Sequence, residues 1–367
     1  MFENIDRVLN VKKIRYEVLD KILRPYKNNF INDEGTINIF IDLPSTVKQL
    51  YNPENLKGFS GKIKFNEKLA IASNLLNMIG HYRHYFASRW MCYTNIYFMY
   101  NSKMAKSIQT TYDINYKKDY YDKRINLNNP TYSAMNSLLK DNYKYMIPII
   151  KCIPNAHFID TGEIDYRVIF NYLIRNRVDD KDLNIILTTD KIFYQNVNYK
   201  NTVILEPRGD RTKFIYYGNA IKELAGTSKT IQKNPDYVTI NPENIILLES
   251  LINHKDYNIE GIRNFSYAKA IIFLNKNEID IGEIITDPET VIDLFKDFIT
   301  DDEVHKIKKN FNIFNNQRLM EMNDNKLDII MPPQLDHFED PESVRKVNEK
   351  YFYKYPLLTN YMWEGEA

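Results

Sequence analysis

Short apolar runs separated by helix-patterned stretches constrain this chain more than any other feature. They are TINIFIDLPS (36–45), NIYFMYN (95–101), AHFIDTG (156–162), DLNIILTTD (182–190), NTVILEPR (201–208) and KFIYYG (213–218). Runs this short, bounded by turn residues and rich in Ile, Val and aromatics, are expected as strands buried in a sheet. The intervening segments have another period. NEKLAIASNLLNMIGHYRHYFASRW (66–90) and EIDYRVIFNYLIRNR (163–177) read as helices, and a further helix is expected over roughly 134–151. Strands alternating with helices predict an α/β fold with a mostly parallel sheet flanked by helices.

The flanks are organised differently. Ile5, Val8, Leu9, Ile14, Val18, Leu19, Ile22 and Leu23 recur at roughly helical spacing until NDEG at 32–35, so residues 1–35 read as an N-terminal helical extension. The core is expected over 36–240. From 241 the pattern turns helical, giving a helical hairpin region at 241–300. A C-terminal extension (301–367) contains the turn MPPQLDHFEDPES and the aromatic tail YFYKYPLLTNYMW.

Charge and cysteine usage narrow the functional classes. The net charge of +1 gives no global basic footprint, so any nucleic-acid contact must come from local patches. Two cysteines, Cys92 and Cys152, make no disulfide framework and suit a reducing compartment. The charged start MFENIDRVLNVKK does not read as a signal peptide, and no apolar run reaches the ~20 residues that span a bilayer. A soluble protein with no membrane partner is expected, in the cytoplasm (a host's, if viral) or in a virion. The abundance of Asn, Lys, Ile and Tyr (28 Tyr) against 11 Gly favours AT-rich codons, and so a phage or another AT-rich genome.

Acidic residues fall at the places where an α/β sheet presents its ligands. Asp42 ends INIFID and Asp190 ends NIILTTD, both at the carboxyl ends of expected strands. Glu163 and Asp165 follow AHFIDTG at a strand-to-helix transition. An Asp at a strand end is ordinarily a turn residue or helix cap. Four such acids from distant segments would together suit a hard cation, Mg²⁺ or Mn²⁺, used in phosphodiester hydrolysis.

The order of these segments resembles the 5′-nuclease, or flap-endonuclease, superfamily with its PIN-like core. IDLPSTVKQLY (41–51) is similar to the motif whose strand ends in a metal-binding Asp. GEIDYRVIFNYL (162–173) is similar to the family's Glu-Ala-Asp-Asp helix, and TTDKIFYQ (188–195) to its Ser-Ser-Asp-Lys-Asp motif. INHKDYNIEGIRNFSYAKAIIFL (252–274) resembles the family's helix–hairpin–helix segment. There Ile259-Glu260-Gly261 stands for Ile-Pro-Gly, and Asn264 and Ser266 replace two glycines. Asn tolerates the left-handed conformation such a bend needs.

The resemblance covers roughly 37–275. It implies a DNA-binding protein related to 5′-3′ exonucleases and flap endonucleases, with duplex or 5′-flap DNA as partner. Asp42, Glu163, Asp165 and Asp190 would be its catalytic acids, and Gly261 and Arg263 its hairpin contacts to DNA. The metal set would be Asp42, Asn101, Glu163, Asp165, Asp190 and His254. This chain departs from the family pattern in that set. Asn101 and His254 stand where acids are expected, Ile192 replaces the second Asp of Asp-Lys-Asp, and Tyr166 replaces an Asp of the helix. Catalysis is therefore expected to be impaired or lost, with Mg²⁺ or Mn²⁺ as cofactor if active and otherwise none. The alternative is a noncatalytic scaffold or interaction subunit of a viral particle or replication complex, docking through the extensions.

Three further features have two readings each. YDINYKKDYYDKR (112–124) offers Lys117, Lys118, Lys123 and Arg124 among tyrosines, either for single-stranded DNA or as a solvated loop diluted by aspartates. EPRGDRTK (206–213) offers Arg208, Arg211 and Lys213 either to phosphates or to a hairpin salt bridge. His81 and His84 share a helix face without a nearby acid or thiol and are expected as ordinary surface histidines rather than ligands.

Overall fold

The computed structural model describes residues 15–30, 35–43, 45–46, 67–92, 94–100, 146–147, 150, 153, 156–160, 173, 181–198, 201–206, 213–226, 242–254, 258–276 and 288–315. Helix α1 (Tyr16–Phe30) precedes β1 (Ile37–Asp42). Helix α2 (Glu67–Trp90) leads to β2 (Thr94–Tyr100), and β3 (Ala156–Asp160) follows. Next come β4 (Leu183–Leu187), a 3₁₀ helix (Lys191–Asn198), β5 (Thr202–Glu206) and β6 (Lys213–Ile215). The helical part contains α3 (Ala220–Ala225), α4 (Ile245–Leu251), α5 (Tyr267–Lys276), α6 (Pro288–Phe295) and α7 (Asp301–Asn315).

The strands form one sheet in the order β3-β2-β1-β4-β5-β6. Strands β1 to β5 are mutually parallel, and β6 pairs antiparallel with β5 at the edge. The chain begins in the middle of this sheet, builds outward through β2 and β3, then returns to the other side of β1 with β4. That reversal makes the β1/β4 boundary a topological switch point. Ligands of open α/β sheets bind in the crevice outside the strand carboxyl ends at such a point.

Both faces are covered, which explains why β1, β4 and β5 are buried along their whole length. Alternation sends Ile37, Ile39 and Ile41 to one cluster, with Ile185 and Leu187 of β4 and with Tyr85, Phe86 and Trp90 of α2. Phe40, Ile186 and Ile204 point into the other, with Leu248, Leu251, Ile259, Ile271, Phe311 and Phe314 of the helical region. Leu19 and Leu23 of α1 are fully buried in the first cluster, so α1 is packed against the sheet. The hydroxyl of Tyr85 donates to Asp20 (3.0 Å) and joins α2 to α1.

One row of polar side chains crosses the interior. Asn38 is in register with Asn95 and Asn184, and Asn184 with Thr202. Asn95 Nδ2 donates to Asn38 Oδ1 (3.3 Å), Asn38 Nδ2 to Asn184 Oδ1 (3.3 Å), and Asn184 Nδ2 to the Thr202 hydroxyl (3.4 Å). Asp182 closes the row by accepting from Asn38 Nδ2 (3.0 Å) and the Thr36 amide (2.9 Å). A register slip of one residue would leave these buried amides without partners. The ladder therefore fixes strand register, and with it the relative heights at which β1 and β4 end.

Candidate active-site edge

Because β1 and β4 are parallel neighbours, the acids that follow them share one edge. Asp42 closes β1 and Asp190 lies three residues past the end of β4. An arrangement with the two on opposite edges is thereby ruled out. Asp42 has no exposed surface. It shares the strand face of Phe40, turned to the side covered by the helical region.

The local chain ties the two strand ends together through hydroxyls. Thr188 Oγ1 donates to Asp42 Oδ2 (2.7 Å) and accepts from the Asp190 amide (3.0 Å). The Ser45 amide donates to Asp42 Oδ1 (3.2 Å). Ser45 Oγ in turn accepts from the Thr189 amide (3.1 Å) and lies 2.7 Å from the Thr189 hydroxyl. The 3₁₀ helix begins directly after Asp190, whose carbonyl accepts from the Phe193 amide (3.3 Å). Such charge-assisted bonds fix the Asp42 carboxylate in one orientation.

A third acid at this edge, Glu206, ends β5. It is buried and accepts from the Tyr194 hydroxyl (2.7 Å).

The helical region covers the Phe40 face of the sheet. The segment between α4 and α5 folds back on itself, with His254 and Ile259 exchanging backbone bonds (3.0 and 3.1 Å). The Ile262 amide donates to Leu251 O (2.9 Å), and the Gly261 amide to Asn253 Oδ1 (2.7 Å). Asn258 and Asn264 have φ of 56° and 65°, so Asn264 takes up the left-handed conformation expected of it. Gly261 is needed for space. A Cβ there would lie 2.4 Å from Ile252 C and 2.6 Å from Leu251 O. Arg263 is exposed on this segment.

His254 is held inside the protein. Its Nε2 lies 2.9 Å from Glu249 Oε2 and 2.8 Å from the Glu249 carbonyl oxygen. Tyr267, the first residue of α5, donates its hydroxyl to Glu249 Oε1 (2.6 Å). Burial opposes a charge on His254. The hydrogen bond and charge of Glu249, with Asp190 adding its own, more than offset that and hold the imidazole pKa above its usual value. Burial first, and then the charge and hydrogen bond of Glu249 with a contribution from Asp190, push the Tyr267 phenol well above its usual value.

Of the residues singled out by sequence, Asp42 and Asp190 follow neighbouring strands at the carboxyl end of the sheet, and His254 lies in the helical region. Glu163, Asp165, Asn101, Lys117, Lys118, Lys123, Arg124, Arg208 and Arg211 lie outside the described residues. Lys213 is paired with Glu223 (3.1 Å). His84 Nδ1 meets the Tyr16 hydroxyl at 2.7 Å, and the His81 ring packs on the Tyr16 ring with centroids 4.8 Å apart. Sequence reasoning misses Thr188, Glu249 and Tyr267. Thr188 carries a signal, since TTD places two hydroxyls before the acid. Glu249 carries none, because one Glu within IILLESL reads as the solvent side of a helix.

A divalent cation is the group this edge would hold. Carboxylate oxygens suit a hard ion, which takes six or more oxygen ligands or keeps several waters. Among the described residues no three His, Cys, Asp or Glu lie close enough to hold a metal. Asp42 and Asp190 could therefore supply only part of a site.

Comparison of the fold gives a consistent answer. The crystal structure of the bacteriophage T5 flap endonuclease, in a pseudo-enzyme–product complex with DNA and metal ions, superposes with a TM-score of 0.52. The match covers 86% of this chain and 98% of that one, at 10% sequence identity. The chain has a 5′-nuclease-like α/β fold. The T5 5′-exonuclease with bound zinc is also similar, with a TM-score of 0.47, 11% identity, and coverage of 86% and 99%. No protein-family model and no curated protein sequence matches the chain. Among the described residues no helix is long and apolar enough to cross a membrane.

Proposed function

We propose that this chain is a DNA-binding relative of the 5′-nucleases that engages duplex or 5′-flap DNA, with catalysis impaired. The observation that carries the reading is that Asp42 and Asp190 follow two neighbouring parallel strands at the switch point of a 5′-nuclease-like sheet. That the T5 flap endonuclease is seen with DNA and metal ions supports the same assignment.

Asp42 and Asp190, joined by Glu163 and Asp165, would hold Mg²⁺ or Mn²⁺, with Asn101 as a neutral member. When bound, such an ion activates water and stabilises the leaving oxygen of a phosphodiester. The protein's own part is to fix the Asp42 carboxylate through Thr188 and Ser45. Replacement of acids by Asn101 and Ile192 removes negative charge from the ligand set, which weakens binding of a hard cation. Loss of one ion of a two-ion site would cost several kcal/mol of transition-state stabilisation, about tenfold in rate for each ~1.4 kcal/mol. Impaired turnover with retained binding is the expected outcome.

A labelled 5′-flap duplex tests this with Mg²⁺ and separately with Mn²⁺, using wild type, Asp42→Ala and Asp190→Ala. Flap binding by all three, with slow cleavage by wild type alone, supports the reading. Absence of DNA binding, or identical cleavage traces for the three proteins, would overturn it.

A further inference from the structure

Among the described residues, the Glu249 carboxylate is a charged group set inside the helical region. It is 3% exposed, yet both of its oxygens are engaged, one by the Tyr267 hydroxyl at 2.6 Å and one by His254 Nε2 at 2.9 Å. The three residues come from three consecutive pieces of chain. Glu249 belongs to α4, His254 to the return strand after it, and Tyr267 to the start of α5. Between them they span the whole hairpin.

Other contacts converge on the same segment. Asn310 of α7, which is fully buried, donates to Ser250 O (3.0 Å) and Glu260 O (2.7 Å), one on each arm. The Phe314 ring packs on His254 with centroids 4.8 Å apart. The charge of Asp190 acts on both His254 and Tyr267, so this network borders the acidic edge of the sheet.

A lone carboxylate in such surroundings costs several kcal/mol unless it is paired and fully hydrogen-bonded. Here the pairing is internal. His254 gives its Nε2 to this pairing, where it meets both the carboxylate and the carbonyl oxygen of Glu249.

We propose that Glu249 is the positioning residue of the hairpin. Bonded to His254 and Tyr267, it holds residues 252–254 and 258–266 against the Asp190 end of the sheet, a task that needs no bound cation. The inference deepens the nuclease-like reading, on which it rests, by assigning the Nε2 of His254 to the protein's internal bonding. It also predicts that the DNA-facing hairpin is prefolded in metal-free protein.

Hydrogen exchange on the full-length protein, without DNA, tests this directly. The reporters are the amides of His254, Ile259 and Ile262, whose acceptors are defined, with Ile39 and Ile185 of the sheet as internal references. In wild type the hairpin amides should be equally protected in EDTA and in Mn²⁺. Glu249→Gln, which keeps the shape and removes the charge, should lower hairpin protection at least tenfold while the sheet amides stay unchanged. Should Glu249→Gln expose the sheet as well, Tyr267→Phe decides by the same criterion, with about a threefold or greater loss confined to the hairpin.

Wild-type hairpin protection that requires Mn²⁺, or unchanged protection in the deciding variant, would overturn the proposal. None of these readouts depends on DNA binding or cleavage, so the positioning role and the nuclease-like assignment can fail separately.

Discussion

Replacing Gly261 with alanine should destabilise the protein through a backbone collision. The added Cβ would sit 2.4 Å from Ile252 C, 2.5 Å from Ile252 O and 2.6 Å from Leu251 O. Carbon atoms pack best at about 3.5–4.0 Å, so one arm of the hairpin must move by roughly 1 Å. The neighbours are main chain, which cannot swing aside as a side-chain tip would. Leu251 O is also the acceptor of the Ile262 amide at 2.9 Å, and the Gly261 amide itself donates to Asn253.

Overpacking of this kind costs about 1–3 kcal/mol, and loss of one hydrogen bond adds about 0.5–1.5 kcal/mol. The smaller freedom of alanine in the unfolded chain returns about 0.4–1 kcal/mol. The net expectation is a loss of about 0.5–4 kcal/mol. Urea unfolding followed by far-UV circular dichroism reads this as a lower midpoint at unchanged slope. Gly226→Ala is a useful contrast, since φ there is 69° and nothing lies within 4 Å of the added Cβ. Its cost is the backbone penalty alone, about 1–3 kcal/mol, because with ψ of −154° the residue sits in a region essentially reserved for glycine. A Gly261→Ala protein within about 0.5 kcal/mol of wild type would refute the packing argument.

Two more perturbations probe the acidic edge and its surroundings. Thr188→Val removes the hydroxyl that donates to buried Asp42 and accepts from the Asp190 amide, and should cost about 1.5–3 kcal/mol in urea unfolding; a change below about 0.5 kcal/mol would deny the bond its role. The His254 pKa is raised in the folded protein above its ordinary value of 6.5. The stability it contributes is therefore complete below about pH 6.5 and is lost as pH climbs through the raised folded value. Wild type should lose stability relative to His254→Gln over that climb, and a difference that stays constant with pH would contradict it.

How much of this was visible in the chain itself differs from residue to residue. Asp42 and Asp190 were legible because an unbroken apolar run ending in an acid is the signature of a buried parallel strand, and its carboxyl end is where ligands bind. Their adjacency was expected only through the family resemblance, since it depends on β4 returning to the side of β1 opposite β2, a long-range choice that no local pattern encodes. The amide ladder of Asn38, Asn95 and Asn184 was hidden for the same reason: each Asn lies near the start of an apolar run, and only register makes them neighbours. Asn264 was legible through its tolerance of positive φ. Glu249 was invisible because its burial depends on partners five and eighteen residues away, His254 and Tyr267.

Two carboxylates sharing one cation at the β1/β4 switch point form the central claim, and isothermal titration of Mn²⁺ tests it most directly. Asp42→Asn and Asp190→Asn are the variants of choice, because each removes a charge while preserving size. Both should weaken Mn²⁺ binding at least tenfold, which corresponds to about 1.4 kcal/mol. Identical binding isotherms for wild type and both variants would contradict it.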